Sequence, residues 1–139
     1  MKNLKITVSG AHSTGKSTFL SEIAKRIQSK GFRYLLVSDL AIRCPLPILR
    51  EHTVESTLWI VATGIAEEIA ATYKSNIVFV DRPVLDAWAY LMAIFPERSD
   101  AKLTPQFKTL ENVIRNWLPT YTLIYRNCSA MSDPLWAYQ

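Results

Sequence analysis

The chain has 139 residues, enough for one domain and one core but not for two. It is 49% hydrophobic and 20% charged, which excludes a disordered chain, and stretches such as Leu58 to Ala66 fall well short of a membrane span. The net charge of +4 comes from scattered Lys and Arg, a balance that suits a phosphate-bearing small ligand better than a nucleic-acid groove.

The opening residues lack a long apolar block before a small-residue cleavage site, so they read as a first strand and not as a signal peptide. In that strand Leu4 to Val8 alternates apolar and polar residues. A Gly-punctuated loop follows. From Lys16 the pattern turns helical, with Phe19, Leu20, Ile23, Ala24 and Ile27 on one stripe and Gly31 as the stop. Tyr34 to Val37 is short and apolar, as a buried parallel strand requires. Cys44-Pro45-Leu46-Pro47 breaks regular structure. Val54, Leu58, Val61, Ile65 and Ile69 mark a long amphipathic helix, and Ile77 to Val80 a buried strand. Pro83 opens a helix through Leu91, Thr104-Pro105 caps and starts another that ends at Pro119, and Tyr121 to Tyr125 is a fourth strand. The order β-α-β-α-β-α-α-β predicts a three-layer α/β/α fold with a parallel sheet, residues 1–139 forming one domain. Cys44 and Cys128 are far apart and match no disulfide framework or metal spacing, so the expected compartment is the cytoplasm.

Gly10 to Ser17 matches G-x-x-x-x-G-K-[ST] at every fixed position, and it lies between a strand and a helix, where the chemistry needs it. The glycines let successive N–H groups turn toward phosphate oxygens, and the helix N-terminus adds unpaired donors. The predicted nucleotide site is therefore Gly10, Ala11, His12, Ser13, Thr14, Gly15, Lys16, Ser17 and Thr18, with ATP or a close relative as ligand. Within it Lys16 supplies a point charge to the β- and γ-phosphates, and Ser17 a hydroxyl to Mg2+. The His12 side chain is read as facing solvent, without a catalytic role.

Asp81 ends an apolar strand and would hold magnesium with Ser17, although strands also end in Asp for turn reasons. Arg82 either clamps a phosphate or makes a surface ion pair with Asp81 or Asp86. Asp86 is expected to stabilise the first turn of the Pro83 helix. Asp39 ends the second strand, and Arg43 follows one turn later. They read either as a base with an acceptor-binding arginine, or as a capping Asp with a paired Arg.

Three segments together resemble the NadR-like (nicotinamide-riboside-kinase-like) AAA-domain P-loop proteins, which are similar in turn to thymidylate and deoxynucleoside kinases. They are the loop from Gly10 to Thr18, Asp39-Leu-Ala-Ile-Arg43-Cys-Pro-Leu-Pro, and Asp81-Arg82-Pro-Val-Leu-Asp86-Ala-Trp-Ala-Tyr90. The likeness runs from Lys5 to about Tyr125. It implies a kinase in which Asp39 is the base and Arg82 contacts phosphate. That family more often carries Glu at the position of Asp39, so the carboxylate here is one methylene shorter. Such kinases also continue into a lid with arginines, a fifth strand and an adenine loop. No such pattern is legible after Tyr125, so the P-loop NTPase fold is expected to lack its last strand and lid. A fourth strand unpaired along one side would favour self-association, a homodimer in the simplest case. Three functions stay open: a kinase acting on a small-molecule phosphate acceptor, without nucleic-acid or membrane partners; an NTPase or nucleotide-gated switch acting on a protein; and a binding-only remnant.

Overall fold

The structure is a computed structural model that describes residues 3–10, 16–38, 40–94 and 104–126, with backbone alone for Lys16 and Ser17. Four strands form one sheet in the order β2-β3-β1-β4: β1 (Leu4–Ser9), β2 (Leu35–Val37), β3 (Ile77–Asp81) and β4 (Leu123–Arg126). Every pairing is parallel, with Val8 opposite Asp81 and Tyr125, and Val37 opposite Val80. The helices are α1 (Lys16–Ser29), α2 (Val54–Lys74), α3 (Val84–Ile94) and α4 (Pro105–Trp117). This is the expected element order and a P-loop NTPase architecture. The expected loss of a fifth strand and lid concerns residues 127–139, which lie outside the described ones.

Connection direction sets the layers. The β1–α1–β2 crossover runs one way along the sheet, while β2–α2–β3 and β3–α3–α4–β4 run the other. Right-handed crossovers then place α1 alone on one face and the other three helices opposite. The packing follows: Leu20 and Ala24 of α1 meet Val8, Ile77 and Phe79, whereas Val78 and Val80 meet Val61, Val84, Leu91, Leu110 and Ile114. Strand side chains alternate between the two clusters, as the pleat dictates. Fully burying Phe79, Leu91 or Leu110 contributes about 1.5–3 kcal/mol each.

Gly31 stops α1 as expected, at φ 84°. Its N–H donates to the Gln28 carbonyl and that of Phe32 to the Ile27 carbonyl, a Schellman ending that glycine, lacking a Cβ, adopts without strain.

Two expectations about burial change. In β1 the polar positions face a helix layer and not water, so Lys5, Thr7 and Ser9 are all buried. In α2 the buried stripe is Thr57, Val61, Gly64, Glu68 and Ala71, rotated from the apolar stripe, and Ile69 is exposed. The rotation has a polar cause: Glu68 finds three donors inside and Thr57 finds His52, while Gly64 allows Leu40 to approach.

Candidate functional site

β1 ends at Ser9, and the chain leaves the sheet at Gly10 with φ 154°, a value that side-chain-bearing residues rarely adopt. The helix after the loop begins at Lys16, so the loop opens onto a helix N-terminus, where four backbone N–H groups lack intrahelical partners. Thr18 is exposed on the first turn. Ala11 to Gly15 lie outside the described residues, as do the side chains of Lys16 and Ser17.

Asp81 is the last residue of β3 and a direct neighbour of β1 through its register with Val8. Pleat parity places it with Ile77 and Phe79 on the α1 face, the side on which the phosphate-loop helix begins. A half-buried carboxylate one strand spacing from the loop fits a magnesium site of one or two protein oxygens completed by phosphate oxygens and water. Among the described residues no cluster of three or more His, Cys, Asp or Glu could hold a metal unaided, a pattern that such a shared site does not require.

On the opposite face, the C-terminal ends of β2 and β3 open into a cavity. Its walls are Val37, Ser38, Leu40 and Ala41 after β2, then Ile48, Leu49 and His52 before α2. Ile60, Gly64 and Glu68 come from α2, and Val80, Arg82, Pro83, Val84, Asp86, Ala87 and Tyr90 from the β3–α3 segment. Ligand crevices of open parallel sheets lie at this end. The cavity is mostly apolar, with a few converging polar groups, as small-molecule pockets are.

Arg82 stands at its rim with φ 67°, a left-handed conformation uncommon for a residue with a side chain. Its guanidinium lies 5.8 Å from the centroid of the Tyr90 ring. Asp39 lies outside the described residues, but Ser38 and Leu40 on either side of it in sequence both line the cavity. Arg43 is placed elsewhere. It sits in a short 3-10 turn, its Nη2 donates to both carboxylate oxygens of Glu67 at 2.9 and 2.8 Å on an exposed surface, and it does not line the cavity. The partner that engages it is on α2, 24 positions along the chain, which spacing from Asp39 does not reveal.

Asp86 does more than sit in the first turn of α3. Its carboxylate is buried, and it accepts the Ser9 hydroxyl at 2.5 Å and the Gly10 amide at 3.3 Å. His52, which no sequence pattern singled out, is buried in the cavity wall with Nε2 2.6 Å from the Thr57 hydroxyl. Burial holds its pKa below the ordinary value, so the imidazole is neutral at pH 7.

Glu68 forms the remaining polar wall. Its oxygens accept from Lys5 Nζ, Trp117 Nε1 and the Tyr121 hydroxyl, each at 2.8 Å. Lys5 Nζ also donates to Thr120 at 2.6 Å and lies 4.2 and 4.6 Å from the centroids of the Trp117 and Tyr121 rings. Burial, then the charge and hydrogen bond of Glu68, push the Tyr121 hydroxyl pKa far up, so it remains a donor. It also accepts the Val84 amide at 3.4 Å, tying the start of α3 to α2.

The family described as AAA domain matches residues 5–122. No curated protein matches the sequence. Among solved structures, the crystal structure of the signal recognition particle receptor FtsY from Elizabethkingia anophelis is similar at 15% identity and a TM-score of 0.35. The match covers 85% of this chain and 38% of that one, so the chain spans well under half of the receptor's length. A likeness of that degree carries no functional weight.

Proposed function

Because the chain belongs to the AAA domain family, a nucleotide-binding P-loop group, we propose that it is an ATP-dependent kinase for a small molecule of the nucleoside, nucleotide or ribosyl-nicotinamide kind. The observation that carries this reading is the cavity at the strand ends. It holds Arg82 at its rim and shares Asp86 with the start of the phosphate loop. A switch acting on a protein partner has no need of an apolar pocket at the strand ends beside Gly10.

Phosphoryl transfer is catalysed mainly by positioning and by stabilising charge. The loop amides and the α1 N-terminus hold the polyphosphate, and the Lys16 ammonium draws the γ-phosphate charge. Asp81 and Ser17 would hold magnesium, which when bound neutralises charge on the transferred group. The acceptor enters the cavity between α2 and α3, against Tyr90 and neutral His52. Asp39 takes the proton from its hydroxyl, and Arg82 steadies the phosphate that the hydroxyl attacks.

The test is a coupled assay of ATP consumption across nucleosides, nucleotides and ribosyl-nicotinamide. At least one acceptor is expected to raise consumption above the acceptor-free rate, and equal rates with all of them would overturn the kinase. Lys16→Ala is expected to lower acceptor-dependent turnover by about 100-fold or more. Asp39→Asn is expected to lower turnover while leaving Mg-ATP affinity within about threefold of wild type.

A further inference from the structure

The mechanism above leaves Asp86 unused, yet this is the side chain that joins the acceptor cavity to the phosphate loop. It reaches from the first turn of α3 to residues 76 and 77 positions earlier in the chain. Its Oδ1 accepts the Ser9 hydroxyl and its Oδ2 the Gly10 amide. Those donors flank the point where the chain leaves β1 and turns at Gly10. The helix that carries Asp86 is itself anchored, through the Val84 amide, to the Tyr121 hydroxyl and from there to Glu68. Ala87 and Tyr90 of the same helix line the cavity.

We propose that Asp86 is a positioning residue that fixes the entry to the phosphate loop, the peptide between Ser9 and Gly10, from the cavity side. This rests on the reading that the loop binds Mg-nucleotide. Loops of this kind hold phosphates with main-chain N–H groups, and an anchored entry removes part of the ordering entropy of binding. The chemistry suits a carboxylate, because both facing groups donate. An Asn can reproduce the contact only by turning its NH2 toward Ser9, whose hydroxyl can accept, and its oxygen toward Gly10, whose amide cannot.

The experiment compares full-length wild type, Asp86→Ala, Asp86→Asn and Ser9→Ala at a temperature where circular dichroism shows each folded. Amide hydrogen exchange is read in the peptide from Ser9 to Lys16, and Mg-ATP affinity by calorimetry. Asp86→Ala removes the hydrogen bonds to both Ser9 and Gly10 and is expected to raise exchange in that peptide and to weaken Mg-ATP by about tenfold or more. Asp86→Asn should stay within about threefold of wild type, and Ser9→Ala should fall between the two. Peptides from β3 and α2 should be unchanged. Should Asp86→Ala not fold, the ordering of Ser9→Ala and Asp86→Asn decides the matter. Wild-type exchange and affinity in the variants, or a rise spread evenly over the sheet, would overturn the assignment. Absence of Mg-ATP heat with wild type would sink the nucleotide reading instead, and the exchange arm would still decide Asp86.

Discussion

Arg82 carries a left-handed backbone at the rim of the cavity, and a side chain in that conformation is worth about 1–2 kcal/mol of strain. Comparing two truncations isolates that strain. Arg82→Gly and Arg82→Ala lose the same guanidinium, but only Gly relieves φ, so Arg82→Gly is expected to be the more stable by about 1 kcal/mol in urea denaturation. Both should lose acceptor-dependent turnover, and equal stability of the two would show that the backbone is unstrained. His52 has a different signature. Its folded-state pKa lies below its ordinary value of 6.5, so the folded protein binds fewer protons than the unfolded chain as pH falls. Its contribution is complete above about pH 6.5 and declines as pH drops below that, levelling off beneath the folded-state value. Measured as urea midpoints between pH 7.5 and 5, His52→Gln is expected to flatten this decline relative to wild type. Parallel curves would assign the pH dependence to other groups.

At the scale of elements, the starts of α2 and α4 are set by side-chain caps. Thr104 accepts the Phe107 amide ahead of Pro105, as its position predicts. Thr53 and Ser56 make a reciprocal capping box on α2, in which a serine takes the place usually held by Glu or Gln. Thr104→Ala is expected to lower stability by about 1 kcal/mol, read as a shifted denaturation midpoint with an unchanged slope. The cap of α4 was legible because Thr-Pro before an apolar period is a local signal. The facing of α2 was not legible. Its apolar residues point to a stripe through Ile65 and Ile69, but Ile69 is exposed and Glu68 is inside. Helical period reports which residues share a face, while partners on other elements decide which face is turned inward.

For the molecule as a whole, the Glu68 network is the polar tie between β1, α2, α4 and the start of α3. Removing one member leaves buried donors and a charge without compensation. Glu68→Leu is therefore expected to lower stability by about 3–5 kcal/mol, a large part of the 5–15 kcal/mol typical of a domain. The double change Lys5→Met with Glu68→Leu removes the charge on both sides and should recover a substantial part of that loss in chemical denaturation. Additive losses would show that the two side chains act independently. The sheet edge is a second whole-molecule feature. β4 is exposed along its length, with Leu123, Ile124 and Tyr125 each more than two-fifths accessible and Phe19 of α1 packed edge-on against Tyr125.

The order of elements, the parallel sheet and the stop at Gly31 were all determined by sequence alone, as was the placing of the Gly10 to Ser17 motif between the first strand and the first helix. Each rests on interactions between residues close in the chain: side-chain period, capping, glycine at positive φ, and a motif of fixed spacing. The cavity at the ends of β2 and β3, the partner of Arg43, the burial of Lys5 and His52 and the grip of Asp86 on Gly10 were decided only by tertiary structure. The pairs of Arg43, Lys5 and Asp86 lie 24 to 76 positions apart, and nothing in local spacing encodes which distant group will meet a given polar side chain once crossover direction has assigned the helices to faces.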